Sequence, residues 1–244
     1  MRVPSNTIVV FAPGAWNPSS AYDEFRQVLS QRDISSVAID HLSNGAEPPN
    51  KGLRDDSKHL HQILTDLADQ GKRILLVGHS YGGMVISAAS TGLGLAERTQ
   101  AGKSGGVIRL VYMAAFVAPR GRSLKDMIDG ELWPWMLVQG NYVRRDPAVD
   151  LIQDVPDEVK EKLSAALHGH ICLAAFLEPS TDEPWHTIPS AYIVCDEDRA
   201  LPPAIQDHMI RSLIDPQVFR LKSGHSPFLS MPNETAEILE QLCQ

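Results

Sequence analysis

Apolar positions in this chain come in short runs that alternate with longer amphipathic stretches. The runs at 7–12, 36–39, 73–77, 107–114, 191–195 and 217–221 are rich in β-branched residues and have the length of strands. Between them the period changes to that of a helix. Within 54–69, Leu60, Ile63, Leu64 and Leu67 fall at i, i+3, i+4 and i+7, and the pattern stops at Gly71. Further helices are predicted over 21–30, 82–96, 203–214 and 233–242. Near-continuous apolar strands separated by such helices predict an α/β architecture, a mostly parallel sheet covered on both faces.

The rhythm stops between residues 120 and 189. No convincing strand is visible there, yet the stretch holds Met127, Trp133, Trp135, Met136, Leu137, Phe176 and Trp185 along with several prolines. Structureless loops of that length are uncommon inside compact domains, so a helical insertion is expected, with one acidic amphipathic helix over 156–167. The expected division is a core of residues 1–119 and 190–244 and an insertion of 120–189. Its aromatic residues could glue the insertion to the core, roof a pocket, or do both.

Composition narrows the partners. A chain of 244 residues, 43% hydrophobic and 21% charged, can bury one large core. The net charge of -8 disfavours nucleic acid and anionic membranes, and no basic stripe interleaved with aromatic residues is present. A small neutral or apolar molecule is the expected partner, with a homodimer left open. No apolar stretch approaches the length of a membrane span, and the start, MRVPSNTIVVFAPG, lacks a cleavage pattern, so a cytoplasmic location is expected. Cys172, Cys195 and Cys243 are odd in number and lack C-x-x-C spacing, which argues for free or buried thiols and against a disulfide framework or a zinc site. No metal and no cofactor is expected.

The chemistry turns on a spacing that occurs twice. Gly78, Ser80 and Gly82 in RILLVGHSYGGMVISAA spell G-x-S-x-G, and so do Gly102, Ser104 and Gly106 in GKSGG. About one chain of this length in ten carries such a match by chance, so the context decides. A serine hydroxyl attacks only when a base takes its proton, and a sharp strand-to-helix turn lifts the oxygen out of the fold. Ser80 follows the apolar run ILLV and precedes a small-residue helix start. Ser104 sits in a polar loop before a strand, and Glu97 occupies the position where a phosphate-binding loop would have its first glycine. Ser80 is therefore the expected nucleophile, and the backbone N–H of Tyr81, the next residue, one expected oxyanion donor. Among the histidines, His59 and His61 lie on a charged helix, His168 and His170 in the insertion, and His79 in the turn itself. His225, in SGHSPFLSMP just beyond the last strand, stands where sites form in open parallel sheets. The end of the preceding strand offers Asp196, Glu197 and Asp198 to orient it.

The segments FAPGAW, VGHSYGG, YIVCDEDRALP and SGHSPFLSMP resemble the α/β-hydrolase fold superfamily, in the branch of small plant-type methylesterases, hydroxynitrile lyases and their fungal and bacterial esterase relatives. The similarity spans nearly all of the chain outside the insertion. It implies an α/β-hydrolase fold in which residues 120–189 form a helical cap before the penultimate strand. It also implies Asp198, followed four residues later by Pro202, as the acid, with Asp196 and Glu197 as neighbours. The second oxyanion donor implied is the N–H of Ala15, in a loop where relatives often read His-Gly-Ala and this chain has Pro13. Trp16 follows, as a loop anchor or a pocket wall, and Trp133, Trp135 and Phe176 are the expected substrate-facing residues of the cap. Similar lyases carry a threonine in the first loop and a lysine after the histidine; here stand Gly14, Ala15 and Ser226. Dehalogenases of the fold use an aspartate nucleophile, which Ser80 excludes. The expectation is a serine esterase acting on a small apolar or aromatic ester. The alternative is a non-hydrolytic member: a C–C bond lyase, a cyclase or a small-molecule receptor.

Overall fold

The computed structural model of the protein describes residues 3–150 and 152–244. Among these the strands, in chain order, are β1 (Thr7–Ala12), β2 (Ser35–Ala38), β3 (Arg73–His79), β4 (Gly106–Met113), β5 (Met136–Gln139), β6 (Tyr142–Arg145), β7 (Ile171–Cys172), β8 (Ser190–Cys195) and β9 (Gln217–Leu221). The α-helices are α1 (Asp23–Ser30), α2 (Leu53–Asp69), α3 (Gly82–Ala89), α4 (Leu95–Gln100), α5 (Asp157–Ala166), α6 (Ala174–Leu177), α7 (Pro203–Ile210), α8 (Pro227–Ser230) and α9 (Pro232–Leu242).

Six strands form one sheet in the order β2-β1-β3-β4-β8-β9, every neighbouring pair parallel. The chain leaves β1 for β2 on one side and returns to β3 on the other. That reversal opens a crevice beyond the carboxyl ends of β1 and β3, where ligands of open α/β sheets bind. Side-chain alternation sends the two sets of strand residues to opposite faces. Val10, Ala12, Ile74, Leu76, Leu110, Tyr112, Tyr192 and Val194 join a core with α2, α3 and α7. Val9, Phe11, Leu75, Val77, Val111, Met113, Ala191 and Ile193 join the other with α1 and α9. Both faces are covered, which is why these strands read as unbroken apolar runs.

Two helices are shorter than their sequence pattern suggests. The helix expected over 82–96 ends at Ala89 and a new one starts at Leu95, because Gly92 at φ +75° turns the chain between them. The helix expected over 203–214 ends at Ile210, and Asp215 takes a left-handed φ of 43° before β9.

The insertion is not purely helical. Besides α5 and α6 it contains β5, β6 and β7, an antiparallel sheet in that order. β5 and β6 form a hairpin closed by Gly140-Asn141, with Gly140 at φ +60°, the two-residue turn that favours glycine and asparagine. β7 continues into the core: Cys172 N–H donates to the Ser43 carbonyl at 3.0 Å and Gly45 N–H to the His170 carbonyl at 2.9 Å. The segment is thus bonded through backbone to the loop after β2.

Candidate active site

Ser80 occupies the turn between β3 and α3 with φ +53°, a left-handed conformation rarely adopted by residues with a side chain. The turn is held by its carbonyl, which accepts Gly83 N–H at 3.0 Å and Phe116 N–H at 3.1 Å. The flanking glycines are required by contact. A Cβ on Gly78 would stand 2.6 Å from the Gly82 carbonyl oxygen, and one on Gly82 would land on the Ala12 carbonyl oxygen. Trp16 (φ 65°) and Ala114 (φ 44°), beyond the ends of β1 and β4, are also left-handed, so backbone strain gathers at the crevice. Ser104 lies elsewhere, in an exposed loop at the amino end of β4, where Gly106 pairs with Arg73.

Of the three carboxylates after β8, Asp198 alone is buried. Its Oδ1 accepts the N–H groups of Ala200 and Leu201, both at 2.8 Å. Its Oδ2 accepts Gln206 Nε2–H at 3.1 Å and His225 Nδ1–H at 2.8 Å. Asp196 turns outward to Arg220 at 2.6 Å, and Glu197 is exposed. Because a carboxylate can only accept, His225 carries its proton on Nδ1 and keeps Nε2 as the basic nitrogen.

Ser80 and His225 line one cavity together with Ala15, Trp16, Tyr81, Trp133, Trp135 and Phe176. It holds about 400 Å³ of space between its walls, most of it too narrow for a water molecule. Asn17, Phe116, Leu124, Met136, Ala200 and Leu201 complete the lining, so no Asp, Glu, Lys or Arg faces the space. Trp16 joins the first loop to the insertion: its Nε1–H donates to the Val143 carbonyl at 3.0 Å and its carbonyl accepts His168 N–H at 2.8 Å. Its ring meets Trp135 and Phe176 at centroid distances of 5.9 and 5.8 Å. The loop lies close against the turn, since a Cβ on Gly14 would come within 3.1 Å of Ser80 Cβ. Neither Ala15 nor Tyr81 uses its backbone N–H on an acceptor among the described residues.

Four supporting residues gave no sequence signal of their own. Asp56, fully buried on α2, accepts the Tyr81 hydroxyl at 2.7 Å and the Ser43 N–H and hydroxyl at 2.9 and 2.6 Å. Burial, with the neighbouring Asp56 carboxylate, holds the Tyr81 phenol well above its ordinary pKa. Gln153, from the insertion, places Oε1 to accept Arg199 N–H at 3.2 Å and His225 N–H at 3.4 Å, and Asp154 accepts Gly224 N–H at 2.6 Å. His41 donates Nε2–H to the Pro13 carbonyl at 2.8 Å, fixing the first loop. The Pro13 position therefore keeps a histidine against its backbone, contributed by another segment. His79, singled out from the sequence as part of the turn, donates Nε2–H to the His225 carbonyl at 2.7 Å. Burial lowers the pKa of both His41 and His79, so both rings are neutral. His61 is engaged with the Ala89 carbonyl and His170 with that of Ala46. Among the described residues no group of three potential ligands could hold a metal ion, and no helix is long and apolar enough to cross a membrane.

A half-buried serine turn at the switch point of a parallel sheet, lining one cavity with a histidine bonded to a carboxylate, is the layout expected of an α/β-hydrolase type of site. The chain matches the alpha/beta hydrolase family over residues 9–238 and belongs to it. It is 28% identical over 239 residues to the alpha/beta hydrolase nvfD of Aspergillus novofumigatus, covering 92% of each chain. Its fold is similar to that of a pyrethroid hydrolase from Sphingobium faniae JZ-2, with a TM-score of 0.77 at 22% identity, covering 97% of this chain and 96% of that one. It is also similar to that of the methylesterase MES16 from Arabidopsis, with a TM-score of 0.74 at 21% identity, covering 96% and 98%.

Proposed function

We propose that the protein is a serine carboxylic ester hydrolase that works through an acyl-enzyme on Ser80. The observation that carries this reading is that Ser80 and His225 line one cavity, with His225 Nδ1 bonded at 2.8 Å to the buried Asp198. His225 Nε2 takes the Ser80 proton as Oγ attacks the ester carbonyl, and Asp198 stabilises the imidazolium that results. The N–H groups of Ala15 and Tyr81 hold the oxyanion; each such donor typically contributes about 3 kcal/mol to lowering the barrier. His225 returns the proton to the leaving alcohol. Water, activated by the same nitrogen, then releases the acid and restores Ser80.

The absence of charged side chains in the lining supports a small uncharged ester with apolar or aromatic substituents. A charged group brought there would lose its hydration without a partner. Hydrolysis of p-nitrophenyl acetate by wild type, Ser80→Ala and Ser104→Ala tests the assignment. The expected result is a loss of about a thousandfold or more in kcat for Ser80→Ala only. Equal losses in the two variants, or none, would contradict it.

A further inference from the structure

The cavity at Ser80 shares two walls with a surface groove. Trp133 and Met136 line both, and the groove continues over Leu132, Leu137, Val138, Leu173 and Leu177, with Lys125 and Glu131 as its two charged residues. Large apolar side chains are seldom left in water side by side, and clusters of them mark binding surfaces. Of the six large hydrophobic residues exposed among the described residues, three line this groove: Leu137 at 44%, Val138 at 52% and Leu177 at 43%. Trp133 also borders a second groove, which is polar and contains Arg122, Asp126, Asp129 and His208. Both grooves therefore border the cavity at Trp133, and the first is the more apolar of the two.

The cavity itself is too narrow for a large group on either side of an ester carbonyl. A longer substituent can reach the apolar groove across Trp133 and Met136, which line both spaces. On the apolar side each methylene laid down gains roughly three- to fourfold in binding, whereas the polar groove returns nothing for its desolvated charges. We propose that the groove of Leu137, Val138 and Leu177 is an outer subsite for an unbranched aliphatic chain of the substrate, reached across Trp133 and Met136 from a carbonyl at Ser80. This rests on Ser80 being the nucleophile, and it extends the substrate class from small esters to medium-chain ones.

The test compares wild type with the double variant Val138→Glu/Leu177→Glu, whose substituted side chains are exposed, and with His208→Ala in the polar groove. The kcat/KM is measured on p-nitrophenyl acetate, p-nitrophenyl octanoate and octyl acetate. Binding of 2-decanone, which contains no bond to hydrolyse, is followed by tryptophan fluorescence. Circular dichroism confirms that each variant is folded, and Val138→Ala/Leu177→Ala replaces the double variant if it is not. The double variant should lose at least tenfold on one of the octyl substrates and at least tenfold in 2-decanone affinity, while p-nitrophenyl acetate stays within twofold. Equal losses on short and long esters, or the same chain-length effect from His208→Ala, would overturn the proposal. If the esters are hydrolysed but 2-decanone binds wild type and variant alike, the subsite falls and the esterase reading stands. If wild type hydrolyses none of the esters yet the variant loses 2-decanone, the esterase reading falls and the groove stands.

Discussion

The Tyr81 hydroxyl donates to Asp56 Oδ2 at 2.7 Å, and both residues are fully buried. One end of Tyr81 is thereby fixed to α2 while its backbone N–H stands beside Ser80. Tyr81→Phe removes one of three donors to a buried carboxylate and should cost about 1.5–3 kcal/mol, the range for a hydrogen bond to a charged group. Asp56→Ala leaves the Tyr81 and Ser43 hydroxyls without an acceptor and should cost at least as much. Urea denaturation of the two variants checks the order. If Tyr81→Phe is neutral, the network does not position the turn.

Gln153 reaches His225 from the insertion, accepting His225 N–H at 3.4 Å and Arg199 N–H at 3.2 Å. Its role is to position the two loops that carry His225 and Asp198. Gln153→Ala should lower kcat by about tenfold with little change in KM and should shift the acidic limb of the pH–rate profile, because a poorly held imidazole is a poor base. Gln153→Glu keeps the accepting oxygen and should restore much of the rate. A change in KM alone would point to a role in substrate binding instead.

Ser80 at φ +53° carries a cost that glycine would not. A left-handed residue with a side chain costs about 1–2 kcal/mol, whereas glycine loses about 0.4–1 kcal/mol through a freer unfolded chain. Ser80→Gly should therefore be at least as stable as Ser80→Ala, although both should be inactive. Thermal unfolding of the two proteins decides; a markedly less stable glycine variant would mean that the turn is unstrained.

Stability should fall as pH drops below about 6.5. His41 and His79 are neutral in the folded protein because burial lowers their pKa, while in the unfolded chain each titrates near 6.5. Below that pH the unfolded chain binds protons that the folded one refuses. The stabilisation is complete above the unfolded pKa and is lost as pH falls toward the folded value, with a limiting slope of about 1.4 kcal/mol per pH unit for each histidine. Urea denaturation between pH 7.5 and 5, in wild type and His41→Gln, checks the sign (about 1 kcal/mol less acid loss in the variant). An unchanged slope would contradict it.

The main sheet was legible because both its faces are buried, so strand and helix periods separate cleanly. Ser80 was separable from Ser104 for a local reason, its strand-to-helix setting. Choosing Asp198 over Asp196 and Glu197 needed the family resemblance; in the structure Asp198 is the buried one and is bonded to His225, while Asp196 is drawn out to Arg220. The small antiparallel sheet was missed although Gly140-Asn141 between two short runs is a hairpin signal, because Arg144 and Arg145 make β6 look polar. Asp56, His41 and Gln153 were invisible because they act through partners far along the chain: Tyr81, Pro13 and His225. Long-range hydrogen bonds leave no periodic trace in a sequence.

The central claim is that Ser80 is the nucleophile, and covalent trapping tests it most directly. The protein is treated with a fluorophosphonate and mapped by peptide mass spectrometry, alongside His225→Ala. One phosphonyl group is predicted per chain, on the peptide containing Ser80, with labelling slowed by a hundredfold or more in His225→Ala, the upper part of the range for loss of a general base. No adduct on wild type, an adduct on Ser104, or equal labelling of His225→Ala would contradict the account.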